Sequence, residues 1–182
     1  SDALVETNSM YIGDDPSSTT DAAQYNLAVG INALDAVTTG DKNVAIGYDA
    51  LTSNTTGESN TASGYRSLYS NTEGDYNTAF GDRSLYSNTT GSFNIASGYK
   101  SLFANTTGAN NTALGYQSGD VITTGTNNVI LGSGSDPSAN SGTNQIVIGK
   151  GATGHGDNIA VIGNGSATAI HPHDDNEVDL GS

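Results

Sequence analysis

Nine glycines stand at one fixed interval of 17 residues: Gly13, Gly30, Gly47, Gly64, Gly81, Gly98, Gly115, Gly132 and Gly149. Each closes a five-residue cassette, best seen as Asn43-Val44-Ala45-Ile46-Gly47 or Asn60-Thr61-Ala62-Ser63-Gly64. A strict short period means one small unit stacked on copies of itself, which builds a rod and not a pocketed globule.

With the cassette Asn as position 1, the other positions of the unit follow. Position 3 is mostly alanine, and position 9 is leucine in five coils, Leu34, Leu51, Leu68, Leu85 and Leu102. Position 13 is threonine from Thr38 to Thr123, and position 15 is a second glycine from Gly40 to Gly142. Three segments result. Residues 1–25 are a lead-in carrying the first cassette, residues 26–149 the regular repeats, and residues 150–182 shorter irregular coils and a C-terminal connector. A cassette at Ile159 to Gly163 arrives after 14 residues instead of 17.

A unit of 17 residues is too short for a helix pair, since helical repeats need about 33 or more. It suits two short strands and two turns. The cassette alternates faces as a strand does, and positions 6 to 10 (Tyr65-Arg66-Ser67-Leu68-Tyr69) are expected to form a return strand. Asn-Thr-Thr-Gly stretches such as Asn54 to Gly57 read as turns in which glycine supplies positive φ. The class is therefore all-β, a solenoid or parallel β-roll of 17-residue coils, with like residues in ladders about 4.8 Å apart. The position 1 asparagines are expected to bond amide to amide along the stack.

Positions 2 and 4 point away from position 3 yet are often apolar: Leu27 and Val29, Val44 and Ile46, Val129 and Leu131, Ile146 and Ile148. A strand apolar on both faces is buried on both. One face fills the roll; the other implies an identical neighbouring chain. The weaker pairs Thr61/Ser63 and Thr78/Phe80 interrupt this in the middle.

Composition narrows the functions. A formal charge of −14, from 19 acids against 5 bases, opposes nucleic acid through phosphate repulsion. No apolar run is long enough to insert in a membrane, and no signal peptide is evident. A start at Ser1 reads as an excised fragment. Disulfide and thiolate chemistry are absent with zero Cys. Paired carboxylates for glycoside hydrolysis are lacking inside the cassettes except Glu177 and Asp179, so no enzyme is expected. A threonine ladder at position 13 invites an ice-binding reading, but it lies in a turn and not on a flat strand face.

The cassettes resemble the repeats in the heads of trimeric autotransporter adhesins. The longer coil, with Leu85-Tyr86-Ser87-Asn88-Thr89-Thr90-Gly91 between cassettes, is similar to bacteriophage tail-fibre and receptor-binding proteins. Asp175-Asn176-Glu177-Val178-Asp179-Leu180-Gly181 resembles the segment before the C-terminal chaperone of many phage fibres. What the resemblance implies is an intertwined or side-by-side homotrimer, left-handed, in a virion tail fibre that holds or forms a receptor-binding surface for a host cell-surface glycan or protein. The alternative owner is the bacterial cell surface, as the head of a trimeric adhesin. A chaperone after Ser182 would mark the phage case.

Two local features are candidates for chemistry. In an extended segment His171-Pro172-His173 puts both imidazoles on one face. Three chains would supply six nitrogens, an iron-like octahedral set on the trimer axis, as phage fibre tips resemble; a polar connector is the other reading. Arg66, Arg83 and Lys100 share position 7, and Tyr69, Tyr86 and Phe103 share position 10. These six form the candidate receptor contact, or else arginine stems packed on tyrosine rings with Asp41, Glu58 and Asp75 at position 16 balancing the charge. His155 reads as a turn histidine, and the pairs Asp14-Asp15 and Asp174-Asp175 as solvated loops without a calcium-loop pattern.

Overall fold

The computed structural model describes residues 3–6, 9–13 and 23–166. Eleven strands form one sheet in chain order: β1 (Ala3–Glu6), β2 (Ser9–Gly13), β3 (Leu27–Gly30), β4 (Val44–Ile46), β5 (Thr61–Ser63), β6 (Thr78–Phe80), β7 (Ile95–Ser97), β8 (Thr112–Leu114), β9 (Val129–Leu131), β10 (Ile146–Ile148) and β11 (Ala160–Ile162). From β2 onward every pair is parallel, each cassette on the next; Ala45 faces Ala62, and Ala62 faces Ala79. The short coil brings Ile146 opposite Ala160 with the ladder intact. β1 was not anticipated: it pairs antiparallel with β2 and closes that edge of the sheet. The all-β solenoid of 17-residue coils is thus the fold, with no helix among the described residues.

Only one strand forms per coil. The expected return strand at positions 6 to 10 is instead a string of turns in which Arg66 and Leu68 take φ of 53° and 49°. The reason lies in what must be buried. Ser67 and Leu68 are neighbours in sequence and both fully enclosed, whereas a strand sends neighbours to opposite faces. Left-handed residues on either side of Ser67 turn both side chains inward. The segment is still laddered between coils: Arg66 N–H donates back to Tyr48 O at 2.9 Å, and Leu68 N–H forward to Ser84 O at 3.0 Å. A non-glycine residue at positive φ is uncommon, so this ladder and the burial of leucine hold the conformation against its strain.

Two columns of buried asparagine run through the coils. At position 1, Asn43 Oδ1 accepts from the Asn60 backbone N–H at 2.9 Å and from Asn60 Nδ2 at 3.2 Å. At position 12, Asn71 Nδ2 donates to Asn54 Oδ1 at 2.8 Å and Asn88 Nδ2 to Asn71 Oδ1 at 2.7 Å. Both columns meet at the position 15 glycine of their own coil: Gly74 O accepts from Asn60 Nδ2 at 2.8 Å and from Asn71 Nδ2 at 2.9 Å. That glycine is there for room and not for positive φ, contrary to expectation. A Cβ on Gly74 would fall within 3.0 Å of Gly91 O and of the amides of Asn71 and Asn88. At position 5 both demands apply, as at Gly64, with φ +142° and the Gly81 carbonyl in the way. Serine at position 8 ties the corner, Ser67 Oγ and Ser84 Oγ each reaching the position 5 carbonyl of its own coil at 3.1 Å.

Between the asparagine columns lies an apolar core only two residues across, Ala at position 3 against Leu at position 9. Its volume is conserved by exchange. Where position 9 becomes Gly119, Ile122 replaces asparagine at position 12, and position 3 soon grows to Ile130 and Val147. The space beside Gly119 is occupied by Leu102 and Ile122. The exchange ends the position 12 amide column and leaves Asn105 Oδ1 buried without a partner.

Three substitutions test this packing by chemical denaturation. Ile122→Asn extends the column and supplies Asn105 Oδ1 with a donor, so it is expected to be at least about 2 kcal/mol less damaging than Leu85→Asn, which buries an unpartnered amide. Leu85→Ala is expected to destabilise by about 2–5 kcal/mol, as cavities in tight cores do.

Candidate aromatic and cationic surface

The zigzag at positions 6 to 10 sets the surface chemistry, because it turns positions 6, 7 and 10 outward in three adjacent columns. Position 10 is continuous: Tyr69 stacks on Tyr86 with centroids 5.0 Å apart, and Tyr86 on Phe103 at 5.2 Å. Position 6 holds two separate stacks, Tyr48 on Tyr65 at 5.5 Å and Tyr99 on Tyr116 at 5.3 Å. Asp82 occupies the coil between them. The cation column runs in the valley between: Arg66 lies 5.1 Å over the Tyr65 ring and 5.4 Å over Tyr69. Lys100 lies 5.4 Å over Tyr99 and 5.1 Å over Phe103.

All six sequence-derived residues, Arg66, Tyr69, Arg83, Tyr86, Lys100 and Phe103, therefore share one surface, and the arginine stems also pack on rings as the simpler reading had it. The balancing acids differ from expectation. Asp49 binds Arg66 Nε at 3.0 Å and pushes its guanidinium pKa up, while Asp82 meets Arg83 at 3.4 Å. The position 16 acids serve the backbone of the coil before: Asp41 Oδ1 accepts from Gln24 N–H at 2.7 Å, and Asp75 Oδ1 from Glu58 N–H at 2.8 Å. Lys100 makes no ion pair among the described residues. Three of the chain's five bases sit here, making this the basic spot on a molecule of net charge −14. Because the rings stack along the rod, each covers its neighbour's face and offers solvent mainly edges and hydroxyls.

Asp49, Asp82, Tyr48 and Tyr116 were not singled out from the sequence, though position 6 read down the repeat contains Tyr48, Asp82 and Tyr116, and position 7 contains Asp49. A second acidic site was missed altogether. Asp136 occupies position 9, where leucine stands in earlier coils, and its Oδ1 is buried without a partner. Burial, then the charge of Asp120, raise its pKa to about 6 against the opposing hydrogen bonds from Val121 and Asp120 N–H. Asp120 is raised as well, mainly by its own burial.

Other candidates resolve simply. His155 is exposed beside a depression of about 380 Å³ lined by Gly151, Thr153, Val161, Ile162, Gly163, Asn164 and Gly165. No group of three or more His, Cys, Asp or Glu suited to a metal occurs among the described residues. His171 and His173, with Asp14-Asp15 and Asp174-Asp175, lie outside the described residues. The Asn-x-Thr sequons at Asn54, Asn88 and Asn105 fall on the position 12 column, with side chains fully buried, so the folded coil has no room for a glycan there. No helix is long and apolar enough to cross a membrane among the described residues. No protein-family model, curated protein or solved structure matches the chain.

The raised Asp136 pKa gives a signed prediction. A carboxyl held above its unfolded value near 3.9 favours the fold while protonated, so its contribution falls as pH rises from about 4 to about 6. Asp136→Asn is expected to melt higher than the parent at pH 7, with the difference shrinking by pH 4. A difference that stays constant between the two would remove Asp136 from the pH response.

Proposed function

We propose that this chain is a structural and adhesive segment of a trimeric phage tail fibre, a stiff rod that holds or forms a surface for host attachment. The observation that carries the reading is the outer face of the parallel sheet. Positions 2 and 4 from Leu27 to Ile162 contain no charged residue, in a chain of net charge −14. That face leaves large apolar side chains in water: Ile46, Phe80, Ile95, Leu114, Ile146 and Ile162 are 42–55% exposed. An uncharged face that keeps exposing large apolar side chains along the rod, although Thr61, Ser63, Thr78, Ser97 and Thr112 interrupt it, marks an interaction surface. Identical chains are the partner that matches it coil for coil, because each repeats the same strip at the same spacing.

Support for the owner comes from the resemblance of the 17-residue coil and of the Asp175 to Gly181 segment to phage fibres. The cassette itself equally supports the head of a bacterial trimeric adhesin, which has the same physics. In either setting the aromatic and cationic columns face outward on the side of the coil opposite the strand and are repeated on every chain, so weak contacts add by avidity.

Sedimentation equilibrium tests the assembly. The expected mass is three times the 18.4 kDa chain. Phe80→Glu, a charge at the middle of the strip, is expected to lower the mass toward one chain while the far-ultraviolet β signature persists. A monomeric parent removes the fibre reading, and a trimeric Phe80→Glu removes this face as its interface.

A further inference from the structure

The position 6 column is one ring short. Tyr48 and Tyr65 stack below, Tyr99 and Tyr116 stack above, and the coil between carries Asp82. Two strand spacings separate Tyr65 from Tyr99, about 9.6 Å, which is the room one more ring would take in the same ladder. The Tyr65 and Tyr99 faces toward this slot therefore have no ring against them, and they are the two uncovered faces of the column that look toward each other. The other two, on Tyr48 and Tyr116, look outward toward Ile31 and Ser133. Arg83 lies 5.2 Å over Tyr65, and Lys100 lies 5.4 Å over Tyr99. Asp82 sits between them, and its link to Arg83 is long at 3.4 Å, with 44% of its side chain and 32% of arginine's in solvent.

We propose that this slot binds the ring of an acidic sugar, a hexuronate unit within a surface polysaccharide. A pyranose presents apolar C–H faces to the two aromatic walls and hydroxyls along its edge. Asp82 accepts from those hydroxyls, and the ring carboxylate is met by Arg83 and Lys100, arginine with its two-pronged donor set. An exposed ion pair contributes little, so turning Arg83 from Asp82 to the ligand is inexpensive. Lys100 makes no ion pair among the described residues, and the charge of Asp120 acts on it through space. A neutral sugar would leave both cations unused, and a ring-free polyanion would leave the walls unused. The rest of the rod repels polyanions, which confines an acidic chain to this place. The inference rests on the adhesive reading above.

The slot can be closed without disturbing the coil, because both flanking coils already carry tyrosine at position 6. Calorimetric titration with tetragalacturonate, its methyl ester and tripolyphosphate is the test, on the parent, Asp82→Tyr, and Arg83→Ala. The parent is expected to bind tetragalacturonate about tenfold or more tighter than the ester. Asp82→Tyr is expected to melt at or above the parent temperature and to bind at least about tenfold more weakly. Arg83→Ala weakens binding by about tenfold, the worth of one charged hydrogen bond. No binding by the parent, unchanged binding by Asp82→Tyr and Arg83→Ala, or equal competition by tripolyphosphate each overturns the slot. Sedimentation of the same samples separates the two readings. A trimer that ignores the sugar keeps the fibre and loses the slot; a monomer that binds it keeps the slot and loses the fibre.

Discussion

The regular middle of this molecule depends on two buried asparagine columns, which meet at one carbonyl per coil from Asn54 to Asn105. An amide is a costly thing to enclose unless each donor and acceptor finds a partner. Here Asn60 and Asn71 both end on Gly74 O, while their oxygens accept from the coil above. One coil cannot satisfy itself; it is complete only with another stacked on it in register. The 17-residue period is the consequence, and glycine at positions 5 and 15 is its steric condition, since the neighbouring carbonyls already fill the space of a side chain. Within that frame the apolar core is small, and volume moves across it when the sequence changes, as from Leu102 to Gly119 with Ile122.

The parts of the fold legible in the sequence were those that repeat with one residue type. The position 1 asparagines, the alternation around Ala45 or Ala62 and the parallel register follow from period and hydropathy. The conformation of positions 6 to 10 did not. Leucine at position 9 suggested an extended strand, and nothing about leucine announces φ near 50°. The clue stood in the less regular coils, where Gly119, Gly134 and Gly151 occupy positions 9 and 7 and Asn110, Asn127 and Asn144 occupy position 17. Those residue types tolerate the left-handed region, and all six take φ of 53–62°.

The candidate surface was half legible for a related reason. Ladders of like residues, such as Tyr69, Tyr86 and Phe103, stand out in a repeat. Single departures such as Asp49, Asp82 and Asp136 do not, although their chemistry is set by being exceptions. Asp49 pairs with an arginine one coil on, Asp82 interrupts a ring column, and Asp136 puts a carboxyl where the core expects leucine. In a solenoid an isolated substitution is felt mainly by the coils directly above and below it, so its meaning appears only once the register is known.

Register raises a problem that the departures also answer. The coils beginning at Asn60, Asn77 and Asn94 are so alike that each can stack on either of the others with the same amide columns, leaving a whole coil looped out. Such a slip keeps both columns, so hydrogen bonding does little to penalise it. What it breaks are the unique marks: Phe80 between Ser63 and Ser97, Asp82 between two tyrosine pairs, and the exchange of bulk at Gly119. Uniformity gives this chain its cohesion, and the scattered exceptions act as addresses that tell each coil which neighbour is its own.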